Sequence, residues 1–177
     1  MAKRILMDSD MMSRSIKRIA HEILERNKGA NDLVLVGIKS RGEILAKRLH
    51  DHILSIEGVD VVTLSMDFSP WRDDLITKDF VYPPSPYDFT DKIVVLCDDV
   101  LYRGRTVRAA MDGVMHYGRA KMIELAILVD RGHRQLPIKA DFVGKNIPTS
   151  ESEDIAVHFK EYDEIDEVII NRQEEAY

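Results

Sequence analysis

Apolar residues recur along this chain with two periods, and the switching between them lays out a fold. Ile16, Ile19, Ala20, Ile23 and Leu24 fall at i, i+3, i+4, i+7 and i+8, the single apolar face of a helix. Ser9 or Asp10 is placed to cap its start and Gly29 its end. The opposite face carries Arg14, Lys17, Arg18, His21 and Arg26. "LVLVGI", from Leu33 to Ile38, is apolar without interruption, as a strand covered on both faces is. "KSRG" turns the chain into a second helix with Ile44, Leu45, Leu49 and Ile53 inward, and residues 59–66 read as a second strand. "KIVVLC" predicts a third strand that stops at Asp98, and "MIELAILV" a fourth. Between them, Val107, Ala110, Met111, Val114 and Met115 form a helix face closed by Gly118. Strands alternating with helices predict an α/β fold, a mainly parallel sheet flanked by helices on both faces.

Two stretches break the pattern. Residues 67–91 hold Pro70, Pro83, Pro84 and Pro86 among many charges. A loop of that length is uncommon in a compact domain and is expected to be a mobile lid or disordered. From Asp130 onward the chain is loop-rich, with short strand candidates at residues 155–159 and 167–170. No internal repeat or low-complexity segment interrupts the rest.

A length of 177 residues fits one domain over 1–177, large enough to bury its own core. The single cysteine, Cys97, rules out an internal disulfide and fits a reducing compartment, and the N-terminus lacks the apolar run of a secretion signal. No segment approaches the ~20 apolar residues of a membrane span. These features predict a cytoplasmic protein with no membrane partner. The net charge of -6 argues against broad, non-specific binding to nucleic acid, though not against a local basic patch.

Candidate chemistry concentrates in "VVLCDDVLYRGRT". Ligands of parallel sheets bind beyond the carboxyl ends of the strands. Asp98 and Asp99 are predicted there, facing the "GIKSRG" loop after the first strand. Free N–H groups and the positive helix end near Thr106, with Gly104 allowing close backbone approach, make an anion site. The GxxxxGK[ST] and GxGxxG fingerprints are both absent. Adjacent carboxylates repel phosphate but accept hydrogen bonds from the paired hydroxyls of a ribose, so the crevice reads as a ribose 5-phosphate site. Other chemistry-bearing residues have blander readings. Cys97 is core, His50 and His52 point apart and make no metal pair, His116 ends a helix, and Met11, Met12, Met111 and Met115 fill core. Trp71 is either a docking aromatic of the lid or a plain anchor.

The same stretch resembles the phosphoribosyl-pyrophosphate motif of type I phosphoribosyltransferases. "RIAHEILERNKG", "LVGIKSRG", "WRDDL", "GRTVRAAMD", "LAILVDRGH" and "ADFVGKNIPTS" extend the resemblance over nearly the whole chain, to the PyrR family of pyrimidine-operon attenuation regulators and uracil phosphoribosyltransferases. The resemblance implies a type I fold with the lid at about 67–91 and a small C-terminal hood largely within 130–177. It implies that uracil and phosphoribosyl pyrophosphate give UMP and pyrophosphate. Asp98 and Asp99 would hold the ribose, and Arg72 of the lid would cover the leaving group. Lys39, Ser40, Arg41 and Gly42 would cradle pyrophosphate, and Gly104, Arg105 and Thr106 the 5-phosphate. Arg131 would line the nucleotide site. Mg²⁺ would arrive on the substrate, with no dedicated protein metal site. A homodimer or higher homo-oligomer would present a face to a leader messenger-RNA hairpin when UMP is bound, through Lys17, His21, Arg26, Ser40, His133, Arg134, Lys139 and Lys145. A regulator with little catalysis, an enzyme without an RNA role and an enzyme of other base preference stay open as alternatives. Three positions depart from the family pattern: Arg103 where Thr or Ser is usual, Trp71 (after an atypical "SMDFSP") where Tyr is usual, and Lys17 where Thr is common. The first two bear on catalysis, the third on RNA specificity.

Overall fold

A computed structural model describes residues 3–74 and 81–172. Its centre is a five-stranded, all-parallel sheet in the order β3-β2-β4-β5-β6, built from β2 (Leu33–Ile38), β3 (Val62–Met66), β4 (Ile93–Leu101), β5 (Met122–Asp130) and β6 (Phe142–Asn146). Successive side chains of a strand point to opposite faces, and the core divides accordingly. Val95 and Cys97 face the side covered by α1 (Ser9–Asn27) and α2 (Gly42–Glu57). Val94 and Leu96 face α3 (Arg105–His116) and its Val107, Ala110 and Val114. That is why the strands read as unbroken apolar runs: both faces are buried.

A second, antiparallel sheet in the order β1-β8-β7 forms the hood. It joins β1 (Lys3–Met7) to β7 (Glu153–His158) and β8 (Glu167–Arg172), with the short helix α4 (Lys160–Asp163) between the last two. The hood is therefore not purely C-terminal. The first strand belongs to it, while β6, inside the predicted hood range, belongs to the main sheet. Met7, Ile155, Val157, Phe159 and Val168 run into the same apolar cluster as α1 and α2, so the two sheets share a core.

Several local expectations change. The cap of α1 is Asp8, whose side chain accepts the amide of Met11 at 2.8 Å, and the helix ends at Lys28 in a left-handed conformation, followed by Gly29. The second strand is shorter than predicted and begins at Val62. On α3, Met115 is 56% exposed, and the small residues Ala109 and Gly113 are buried instead. The helix turns its tight-packing face to the lid stem, where Phe68 and Trp71 fill the space beside Gly113. The middle of the predicted lid, residues 75–80, and the tail 173–177 lie outside the described residues. The lid's flanks are anchored: Phe68, Trp71 and Phe89 are buried, Trp71 stacks on Tyr82 at 5.1 Å, and the edges of His116 and Tyr117 meet it at 5.8 and 5.5 Å. Trp71 is thus an anchor against the end of α3.

Candidate functional site

The acidic pair sits inside β4 rather than after it. β2 stops alongside β4 at Cys97, but β5 continues, so Asp98, Val100 and Leu101 still pair with Ile127, Val129 and Asp130. The last third of β4 therefore has a neighbour on one side and opens on the other. Asp98 Oδ1 accepts the amide of Asp99 at 2.9 Å, and Asp99 Oδ1 accepts that of Val100 at 2.8 Å. Among the described residues no cationic side chain pairs with either carboxylate. Asp98 keeps part of its surface open to the cavity, yet protein packs densely around its carboxyl. That desolvation, joined by the negative charge of Asp99, pushes its pKa well above the ordinary aspartate range.

Beside Asp98 lies a cavity of about 520 Å³, which Arg72, Gly104, Arg105 and Thr106 also line. Gly104 caps α3 at φ 92, a left-handed conformation that favours glycine, and aims the first amides of the helix at this space. The pyrophosphate-loop candidates Lys39–Gly42 follow β2. The Lys39–Ser40 peptide is cis, and both residues are exposed. Gly42 presses on β4: a Cβ there would lie 2.3 Å from the carbonyl oxygen of Cys97 and 3.2 Å from Cα of Asp98. The loop can approach the acidic pair only because residue 42 has no side chain.

Several arginines are engaged with protein groups. Arg72 holds Asp74 through two hydrogen bonds of 2.9 and 2.6 Å. Arg105 bonds Asp73 and, at 2.8 Å, Gln135. Arg103 lies over the ring of Tyr102 at 5.0 Å, and Arg131 lies over the same ring at 4.0 Å. Buried Arg131 also ties β5 to the hood through Thr149, Asp154 and the carbonyl of Glu153.

Comparison with known proteins decides the family. Residues 5–164 match the phosphoribosyl transferase domain. Proteins named "Bifunctional protein PyrR" from Halalkalibacterium halodurans (50% identical, covering 96% of this chain and 98% of the relative) and Clostridium acetobutylicum (54% identical, 95% and 97%) align almost end to end. The chain belongs to the PyrR family of phosphoribosyl transferases. A solved hypoxanthine phosphoribosyltransferase of Trypanosoma cruzi superposes with a TM-score of 0.75, covering 97% of each chain at 17% identity, which shows the shared type I fold.

In this PyrR-family chain the candidate RNA residues do not share one environment. Lys17 and His21 are exposed on α1 and act electrostatically on His52 of α2. Burial chiefly, and then the charge of Lys17, hold His52 below its ordinary pKa. Arg26 is turned the other way, onto Asp141 at 2.8 Å and buried Glu124 at 3.4 Å. Arg134 is an internal staple, bonded to Asp130 and to the carbonyls of Tyr102 and Ile138. Lys145 donates to the carbonyl of Leu6 at 3.2 Å. His133 and Lys139 are exposed, with His133 Nε2 2.5 Å from the carbonyl oxygen of Thr149.

Sequence reasoning passed over Asp73, Asp74, Tyr102 and Gln135. The two carboxylates immediately after Arg72 were the available signal. Gln135 gave none, because only the fold brings it to Arg105.

Proposed function

We propose that the chain transfers the phosphoribosyl group of phosphoribosyl pyrophosphate to uracil, giving UMP and pyrophosphate. The observation that carries this reading is Asp98, unpaired and followed by Asp99 in β4, on the same cavity as the Gly104–Thr106 helix start. N1 of uracil, its proton lost to solvent, forms the new bond to C1 as the bond from C1 to the pyrophosphate oxygen breaks. Positive charge grows on the ribose, and fixed groups that meet it should dominate the rate. Asp98 and Asp99 accept the ribose hydroxyls and face that charge. Gly104, Arg105 and Thr106 take the 5-phosphate, Lys39–Gly42 the pyrophosphate, and Arg72 closes over the leaving group.

The donor set fits Mg²⁺ carried by the substrate: two close carboxylates lack a cation. Among the described residues no cluster of three or more potential ligands forms a full cage. Bound with the substrate beside Asp98 and Asp99, Mg²⁺ would supply positive charge that offsets the charge of the pyrophosphate. Pyrophosphate release measured with uracil, hypoxanthine, guanine and orotate tests the reading. Uracil should lead, and a clear preference for another base would overturn it.

Asp73 occupies the guanidinium that the 5-phosphate needs. Asp73→Asn should therefore tighten phosphoribosyl pyrophosphate binding by a factor of about 2–5. The gain should shrink as salt screens the exposed pair. Titration calorimetry at two salt concentrations checks it, and unchanged binding would show that Asp73 does not compete.

A second reading, RNA binding when UMP is present, is favoured by exposed Lys17, with exposed His21 one turn along the same face of α1. Lys17→Gln should weaken binding of a leader hairpin and lower the slope of log affinity against log salt by about 0.7–0.9. UMP synthesis should continue unchanged. An unaltered slope would remove Lys17 from the interface.

A further inference from the structure

Among the described residues, the hood reaches the pyrophosphate loop through one ion pair. Arg41 Nη2 donates to Asp163 Oδ1 at 2.7 Å, across 122 residues of chain. Arg41 Nε is buried and has no hydrogen-bond partner. Asp163 is thus the one side-chain acceptor of this guanidinium among the described residues. Asp163 is itself fixed. Its Oδ2 accepts the amide of Phe159 at 2.9 Å, and its own amide donates to the carbonyl of Phe159 at 2.7 Å. Phe159 is fully buried beneath Arg48, whose guanidinium lies 4.9 Å from the ring centre and pairs with Glu161 and Asp166. Helix α4 is therefore clamped to α2 at both Arg41 and Arg48.

The other neighbour in this line is Gly42, whose backbone rests against Cys97 and Asp98. Asp163, Arg41, Gly42 and Asp98 make a continuous connection from the hood to the ribose-facing carboxylate. Burial alone would raise the pKa of Asp163. The hydrogen bonds from Arg41 and from the Phe159 amide outweigh it and keep the carboxyl below its ordinary range, so the pair is charged at neutral pH.

We propose that Asp163 is a positioning residue for phosphoribosyl transfer: through Arg41 it holds the Lys39–Gly42 loop in its pyrophosphate-binding shape and couples that loop to the hood. The proposal rests on the transfer reading above. A carboxylate that merely stabilised the hood would affect every ligand beneath it. One that sets the loop affects the pyrophosphate end selectively.

The test is steady-state kinetics of the full chain, with inhibition by pyrophosphate and by UMP measured separately. Asp163→Asn should raise the KM for phosphoribosyl pyrophosphate and the inhibition constant of pyrophosphate about tenfold, the effect expected of losing a hydrogen bond between charged groups. The inhibition constant of UMP should stay within about twofold, because the interactions it makes elsewhere are kept. Arg41→Gln leaves the bond from Asp163 to the Phe159 amide in place and should show the same selectivity. Because Arg41 also lies in the pyrophosphate cradle, its loss alone does not isolate Asp163. If Asp163→Asn does not fold, Asp163→Glu, which keeps the charge but displaces it by one methylene, provides the test. It should raise the pyrophosphate constant several-fold, with the UMP constant within about twofold. The double variant should be no worse than Arg41→Gln alone. An equal rise in the UMP and pyrophosphate constants, or a change in neither, would overturn the proposal while leaving the transfer reading intact. A parent chain that releases no pyrophosphate with any of the four bases would overturn both.

Discussion

Asp98→Asn and Asp99→Asn will each lower turnover by about 10²–10³-fold, as expected when one preorganised electrostatic contact worth about 2.7–4 kcal/mol is removed from a transition state. Each change keeps the side chain's size and an oxygen for the neighbouring amide bond, so the fold should persist. The effect on stability should run opposite to the effect on rate at Asp98. Its carboxyl is held well above the ordinary value of 3.8 by burial and by Asp99. Between 3.8 and that raised value, the folded chain retains a proton that the unfolded chain has released. Stability of the free protein therefore falls as pH rises through this window and is highest below it. Asn at position 98 cannot ionise and should flatten the fall, melting higher than the parent at pH 8. Turnover and thermal melting measured on the same preparations from pH 5 to 8 check both halves. Near-parental activity in both variants would remove the ribose-binding assignment.

Gly42→Ala will damage both activity and stability. The added methyl would sit 2.3 Å from the Cys97 carbonyl oxygen, against strand backbone that has no freedom to move aside. Overpacking of this kind costs about 1–3 kcal/mol. The alternative is retreat of the loop, and a displacement of about 1 Å at a binding loop can cost about 10²-fold in rate. Denaturant unfolding and kcat/KM measure the two terms. Parental values of both would mean that the loop does not need its close approach to β4. On the proposed assignment of this loop to pyrophosphate, its retreat should raise the KM for phosphoribosyl pyrophosphate more than that for uracil.

What the sequence revealed depended on burial. β2, β4 and β5 were readable because both faces of each are covered, leaving unbroken apolar runs. β1 and β6 were not. "KRILM" and "FVGKN" are short edge strands with few apolar residues to mark them, and the pairing partner of the first lies at the other end of the described chain. The acidic pair was legible as chemistry but misplaced, since how far β4 continues depends on the length of β5. The lid looked unstructured because prolines and charges dominate its composition, yet Phe68, Trp71 and Phe89 near its ends anchor it. The segment from Asp98 to Thr106 could be read locally because its neighbours in sequence are its neighbours in the cavity. The bond from Arg41 to Asp163 leaves no local trace.

The pairing of β1 with β8 also sets an order of assembly. Lys3 lies opposite Asn171 and Ile5 opposite Ile169. During synthesis, the five parallel strands, all complete by Asn146, can pair while β1 still waits for its partner. Contacts between residues so far apart in sequence are the slow ones to form. The hood should therefore be the last part of the chain to consolidate, and β1 should remain an open edge until β8 has emerged.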